Sequence, residues 1–256
     1  MEFLFLKILL VFLGISYSLP FLNAKVVMEP SSDDFPTIQD LKSSISFNQT
    51  FIPFDMNDCY FETIENVDVI CDASDWTEDM DQIELPGKIR YLSILNSQVS
   101  SSTLQESVFD NRTVYLLEII NNVNFTDITE FDFSDIGNDL QALSVSKTGL
   151  MADKNASFFN SFQELHQLKY LILEDNPNLH LEDVGVEEDD DFSLPNLEYL
   201  SLKGSDLRTL ENQIFKPLNY SSRLKLLNLQ SCNISTIEFA TFLYLPHLEH
   251  IGKLEA

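Results

Sequence analysis

Three cysteines, four histidines and one acidic run are the residues of this 256-residue chain whose types and spacing could do chemistry. Cys59 and Cys71 stand twelve residues apart in "CYFETIENVDVIC", and Cys232 stands alone in "NLQSCNIS". A zinc site would bring its thiols closer together and add further Cys or His ligands; here the spacing is long and no histidine lies nearby. His247-x-x-His250 could in principle meet a metal, but the pair falls on the approach to a strand. The run Glu187–Asp191 reads as a solvated loop, with calcium or a basic partner as the sharper alternative. The sequence has no Gly-rich phosphate loop, no G-x-S-x-G elbow and no H-E-x-x-H. No catalytic residue, metal ligand or cofactor is therefore assigned, and an enzyme is not expected.

The field around these residues is negative. Against 15 Lys and Arg stand 41 Asp and Glu, for a net charge of −26. Such a field repels phosphate backbones and anionic membranes, so nucleic acid is not an expected partner. It favours solubility, and beyond that a basic partner. Residues 1–18 (MEFLFLKILLVFLGISYS) set one lysine in a short apolar run ending in small residues, the pattern of a signal peptide cleaved after Ser18. Ala24 offers a weaker second cleavage site. Lys7 interrupts the run and Pro20 follows it closely, which argues against a retained anchor, and no other stretch is long enough to span a membrane. The chain is expected to be secreted. Export gives meaning to the N-x-S/T sequons at Asn48, Asn111, Asn124, Asn155, Asn219 and Asn233, several of which are expected to carry glycans and so to mark exposed surface.

The elements that would position these residues are written in a repeat. "LKLLNLQSCNI" (224–234) spaces its leucines three and then two apart, which suits neither a helix nor a strand over its full length. Slid along the chain as L-x-x-L-x-L-x-x-(N/C/S/T)-x-L, the pattern matches Ile89–Val99, Val114–Asn124, Leu140–Leu150, Leu168–Asn178, Leu197–Leu207 and Leu224–Ile234. A seventh copy begins at Leu248. Successive starts lie 24 to 29 residues apart, and Phe109, Phe162, Phe192 and Phe242 each fall five or six residues before the next start. A unit of that size cannot bury its apolar edge alone and must stack on its neighbours.

These motifs and phenylalanines resemble the leucine-rich repeat family in its extracellular form, over roughly residues 85–256. The resemblance implies an α/β solenoid: a horseshoe with a concave parallel β-sheet, an irregular convex side and a disulfide-bonded N-terminal cap. The expected organisation is a signal peptide at 1–18, a loosely ordered segment at 19–57, the cap at 58–86 and the repeats at 87–256. Positions four and six of each repeat should point inward. The ninth position, usually Asn in the family, should bond backbone between coils; here it is Ser97, Asn122, Thr148, Asn176, Ser205 and Cys232. Cys232 is read as a buried member of that ladder, with an intermolecular disulfide or a reactive thiol as alternatives. Asn124 and Asn178 stand where an apolar residue belongs, and are read as one-residue slips that turn Phe125 and Leu179 inward. In an exported chain Cys59 and Cys71 are expected to pair, closing a loop worth roughly 3 kcal/mol. The caps of such proteins more commonly carry four cysteines.

Positions three, five and seven should face outward from the concave sheet. The expected ligand-binding residues are Tyr91, Leu95, Leu116, Glu118, Ile120, Tyr170, Glu174, Tyr199 and Lys203, with Tyr170 beside Tyr199 and Glu174 placed to pair with Lys203. The resemblance, to secreted arthropod repeat proteins and to Toll-like receptor ectodomains, implies a protein-recognition module in innate immunity or receptor-type signalling. A structural or adhesive matrix glycoprotein is the alternative, and an inhibitor of a secreted enzyme a weaker one. No cysteine cap follows the seventh repeat. A short gene product, a fragment of a larger ectodomain, and an open edge through which two copies pair are the three readings of that end.

Overall fold

The first-position and inward-pointing apolar residues of each repeat give it one short strand, and the strands stack in chain order. The computed structural model describes residues 35–45, 59–63, 67–77, 79, 83–109, 112–128, 133, 136, 138–151, 158–162, 164–181, 194–218, 223–238 and 241–252. A short helix, α1 (Ile38–Lys42), precedes the first strands, β1 (Cys59–Thr63) and β2 (Asp68–Asp72). The repeats contribute β3 (Lys88–Leu95), β4 (Thr113–Ile120), β5 (Ala142–Ser146), β6 (Tyr170–Ile172), β7 (Tyr199–Ser201), β9 (Leu226–Asn228) and β11 (His250–Ile251). These form one nine-stranded sheet in the order β1-β2-β3-β4-β5-β6-β7-β9-β11. Only the β1–β2 pair is antiparallel; every later pair is parallel. The chain is a parallel-sheet solenoid of the leucine-rich-repeat kind, as expected.

Positions four and six point inward throughout. Leu92 and Ile94, Leu117 and Ile119, Leu143 and Val145, Leu171 and Leu173, Leu200 and Leu202, and Leu227 and Leu229 are all buried. Each such side chain contributes roughly 1.5–3 kcal/mol when fully buried. The outer side is irregular. It carries a helical turn, α2 (Ser101–Leu104), two 3-10 turns (Phe158–Phe162 and Lys216–Leu218), and a separate parallel pair, β8 (Thr209–Leu210) with β10 (Thr236–Ile237). Between the layers runs a chain of phenylalanines. Phe133 meets Phe162, Phe162 meets Phe158, and Phe159 meets Phe215, which stacks on Phe242 at a centroid distance of 6.0 Å. Phe109, Phe162 and Phe242 thus bury as their spacing implied, while Phe192 lies outside the described residues.

Coils are joined by backbone at one recurring point. Position eight of each repeat, one to three residues past the strand, has positive φ: Asn96, Asn121, Lys147, Asp175, Gly204 and Ser231. From Asn96 to Gly204 this left-handed turn aims the amide at the next coil. Asn96 donates to the Ile120 carbonyl at 3.0 Å, Lys147 to Glu174 at 3.1 Å, and Gly204 to Gln230 at 2.9 Å. The ninth side chain then closes the coil. Asn176 Nδ2 donates to the Val145 carbonyl at 2.8 Å, Ser205 Oγ to Leu173 at 3.3 Å, and Cys232 Sγ to Leu202 at 3.0 Å. Cys232 is therefore a ladder donor, buried and unpaired with another cysteine. Both slips occur as read: Asn124 and Asn178 are exposed, while Phe125 and Leu179 are buried.

The cap is the β1–β2 hairpin, in which Cys59 lies directly opposite Cys71 and is joined to it by a disulfide. Val67, Val69, Ala73 and Trp76 fill the space beneath. The β2 strand pairs in parallel with β3, so the cap feeds straight into the repeat sheet. Arg90 on β3 grips the buried Asp68 with both Nε and Nη2, at 2.8 and 2.5 Å.

Two outcomes are expected of the ladder. Burial pushes the Cys232 thiol up to about 12, so an alkylating reagent should leave it untouched in native protein and label it only as denaturant unfolds the chain. Labelling of the native protein would contradict the packing. At Gly149 an added Cβ would lie 2.3 Å from the Val123 carbonyl oxygen. Gly149→Ala should therefore cost about 1–3 kcal/mol in denaturant unfolding, a range typical of overpacking; no change would show that the turn yields freely.

Candidate functional site: the concave face and its covering segment

The concave rows form in the expected register. Tyr91, Leu116, Ala142, Tyr170, Tyr199, Leu226 and His250 align across successive strands as the first row. Ser93, Glu118, Ser144, Ile172, Ser201 and Asn228 align as the second. Large rings thus stand towards both ends of the first row, and Ala142 leaves a saddle between them.

That saddle is filled by the chain itself. In the stretch "FPTIQDLKSSI", Phe35, Ile38 and Leu41 recur every third residue and join Tyr91, Leu116, Ala142, Ile172 and Tyr199 in one apolar cluster, separate from the solenoid core. Helix α1 lies over β4 and β5. Its start is fixed by a capping box: the Asp40 amide donates to Thr37 Oγ1, and Asp40 Oδ2 accepts from the Thr37 amide at 2.8 Å and hydroxyl at 2.6 Å. These bonds hold the Asp40 carboxyl below its ordinary range. At the N-terminal end Phe35 stacks on Tyr199, with centroids 5.7 Å apart. At the other end Lys42 Nζ lies 4.0 Å over the Tyr91 ring and pairs with Glu62 on β1, while Arg90 Nη1 donates to the Lys42 carbonyl at 3.2 Å. The segment therefore runs along the first row from Tyr199 to Tyr91. The region expected to be loosely ordered at 19–57 is ordered over these residues, because its apolar side chains have a face to bury against.

This contact decides where each expected ligand residue lies. Tyr91, Leu116 and Tyr199 are each only 1% exposed, and Glu118 is buried with them. Leu95, Ile120, Glu174 and Lys203 remain half-buried along the uncovered margin of the face, while Tyr170, also half-buried, packs against the segment's cluster. Leu95 and Ile120 are direct cross-strand partners. Glu174 does not pair with Lys203: it accepts from Ser201 Oγ at 2.5 Å, since a hydroxyl already on the sheet face need not order a long ammonium side chain. Glu118 takes bonds from the Tyr91 hydroxyl and from Ser93 Oγ, the latter at 3.0 Å, and Gln39 Nε2 of the segment donates to the same Tyr91 oxygen at 3.0 Å. Segment, tyrosine and carboxylate thus form one polar chain beneath the apolar cluster.

Of the sequons, Asn124 and Asn233 are both exposed, and Asn48, Asn111, Asn155 and Asn219 lie outside the described residues. Glu187–Asp191 lies outside them too. Among the described residues no group of His, Cys, Asp and Glu is arranged to hold a metal ion, and no helix is long and apolar enough to cross a membrane.

One match among curated proteins is to a receptor. Over 92 residues, 35% of its length, the chain is 44% identical to Toll-like receptor 3 of Homo sapiens. It spans only 9% of that protein. No family model matches the chain. The similarity agrees with the repeat architecture, and the concave geometry stands independently of it.

Phe35, Ile38, Gln39, Leu41 and Lys42 are the site residues that the repeat search does not reach, because they precede the repeats. Two signals mark them in the sequence: the T-x-x-D box at Thr37–Asp40, and apolar residues every third position from Phe35 to Leu41.

The covered tyrosines give a pH signature. Burial, with Glu118 beside it, pushes Tyr91 well above the ordinary tyrosine value, and burial pushes Tyr199 up to about 12. A folded-state value raised above the unfolded one means that the neutral phenols favour the fold. Their contribution is complete below the ordinary value of about 10 and is lost as pH rises through the folded value. Unfolding free energy should be flat up to about pH 10 and then fall, with Tyr199 losing its share as pH approaches about 12. Tyr199→Phe should flatten part of that fall. An alkaline limb identical in wild type and variant would remove Tyr199 from the account.

Proposed function

We propose that this chain is an extracellular leucine-rich-repeat recognition module that binds a protein ligand on its concave sheet. One observation carries the reading: the concave face already accommodates a polypeptide segment, by ring stacking, apolar insertion and hydrogen bonds to Tyr91. Tyrosines amid small polar groups suit such contacts, because a rigid amphipathic ring loses little entropy on binding. The disulfide in the cap and the similarity to a Toll-like receptor support an extracellular, receptor-type setting. In this reading the protein is not an enzyme, the net charge of −26 favours a basic ligand, and the exposed Asn124 and Asn233 carry glycans.

The margin formed by Leu95, Ile120, Glu174 and Lys203, beside the half-buried Tyr170, is where an external ligand first makes contact. A photo-crosslinking side chain placed at Ile120 or Lys203 of the secreted protein should trap a discrete protein from extracellular fluid. The same group at Leu243, exposed and outside the sheet, should not. Equal trapping at Leu243, or none at Ile120 and Lys203, would count against the concave site.

A further inference from the structure

We propose that Phe35–Ile45 is an internal occupant of the concave groove, exchangeable for an external protein segment of the same chemistry: apolar residues three apart on a helical turn, followed by a basic residue. The proposal deepens the recognition reading above and rests on it for the existence of an external ligand.

The groove and its occupant match at each step. Tyr199 receives Phe35, the Ala142 saddle lies beneath the turn that carries Ile38 and Leu41, and Tyr91 receives the Lys42 ammonium over its ring. Gln39 reaches the Tyr91–Glu118 pair, and Arg90 takes the Lys42 carbonyl, one of those the helix end leaves without an intrahelical partner. None of these contacts belongs to the solenoid core, whose apolar cluster is complete without the segment. The five-residue helix α1 is far too short to persist in water by itself. Its order comes from the groove, and the solenoid does not depend on it in return. Such a contact can be given up without unfolding the protein.

Displacement would lay open Tyr91, Leu116, Glu118 and Tyr199, the expected ligand residues that are buried at present. A tether holds the segment at an effective concentration of the order of millimolar, so a free ligand must compete with it. The apparent affinity of the intact protein is reduced by the fraction of molecules whose groove is open. Segment and ligand therefore exclude one another, and the segment sets the threshold for binding.

The test uses a fluorescein-labelled synthetic peptide, DFPTIQDLKSSIS, copied from residues 34–46. It is titrated against the full chain, wild type or carrying Leu41→Asp in its own segment, with fluorescence anisotropy as the readout. Leu41→Asp protein, with Cys232 still protected from alkylation as proof of folding, should bind the peptide saturably and at least about tenfold more tightly than wild type. Peptide bearing the same Leu-to-Asp change should not bind, and Ala142→Arg added to the opened protein should abolish binding. If Leu41→Asp impairs secretion, Ile38→Ala combined with Lys42→Ala opens the groove more gently and is read in the same way. Equal affinity for wild type and opened protein, or no binding to the folded opened protein, would overturn the proposal. Peptide exchange without any crosslinked extracellular protein would leave the internal occupant standing and remove the recognition reading; crosslinking without exchange would do the reverse.

Discussion

Each coil of this molecule ends its strand with amides and carbonyls that it cannot satisfy by itself, and the whole structure follows from how they are met. The answer is a left-handed turn at position eight. It directs that residue's amide to the position-seven carbonyl of the next coil, as from Asn121 to Ser146 and from Asp175 to Lys203. Buried backbone groups left unpaired would cost free energy comparable to a lost hydrogen bond each. Stacking is therefore compulsory rather than merely favourable. Once coils must stack in this register, positions four and six can only face inward and positions three and five can only face the concave side.

That constraint explains how much of the fold was legible. Strand rows, the ninth-position ladder, the phenylalanine spine and the two slips are all consequences of one period, and a period is visible in sequence. Cys232 is the instructive case: read alone it is an unpaired thiol, but read in register it occupies the place of Asn176 and donates to the equivalent carbonyl. The position-eight turn is only partly legible. Asn96, Asn121, Asp175 and Gly204 are of the types that tolerate the left-handed region, but Lys147 and Ser231 share it, and for Lys147 the hydrogen bond to Glu174 offsets the roughly 1–2 kcal/mol that a left-handed residue costs. The Glu174 partner was missed for a related reason: register gives neighbours, but Ser201 and Lys203 are both neighbours, and only geometry chooses between them.

The covering segment escaped notice because nothing repeats in it. Residues 35–45 carry Ser, Asp, Pro and Thr around Phe35, Ile38, Leu41 and Ile45, a composition that bulk reasoning assigns to loose chain. Yet the capping box and the three-residue spacing are local signals that needed only a surface to act on. The concave rows supplied that surface, and they were themselves correctly placed. Outward-facing and solvent-exposed differ wherever a second element can reach the face.

Why the segment settles on the first row rather than the second or third follows from side-chain volume and charge. The second row adds only Ile172 to the cluster; its Ser93, Glu118, Ser144, Ser201 and Asn228 carry polar atoms that would lose water against Ile38 or Leu41 without gaining partners. The third row begins with Leu95 and Ile120 but continues into Ser146, Glu174 and Lys203, so its apolar stretch is too short. The first row offers Tyr91, Leu116, Ala142, Tyr170 and Tyr199 in unbroken succession, with the smallest side chain where the helical turn needs room. Its buried acid neighbours are already bonded, Glu118 to Tyr91 and Ser93, and Asp68, the cross-strand partner of Tyr91, to Arg90. The lysine that ends α1 meets an aromatic face and Glu62 at the cap, which fixes the direction in which the segment must run. Any chain that replaces it along this row must satisfy the same order: ring first, aliphatic turn over the alanine, cation last.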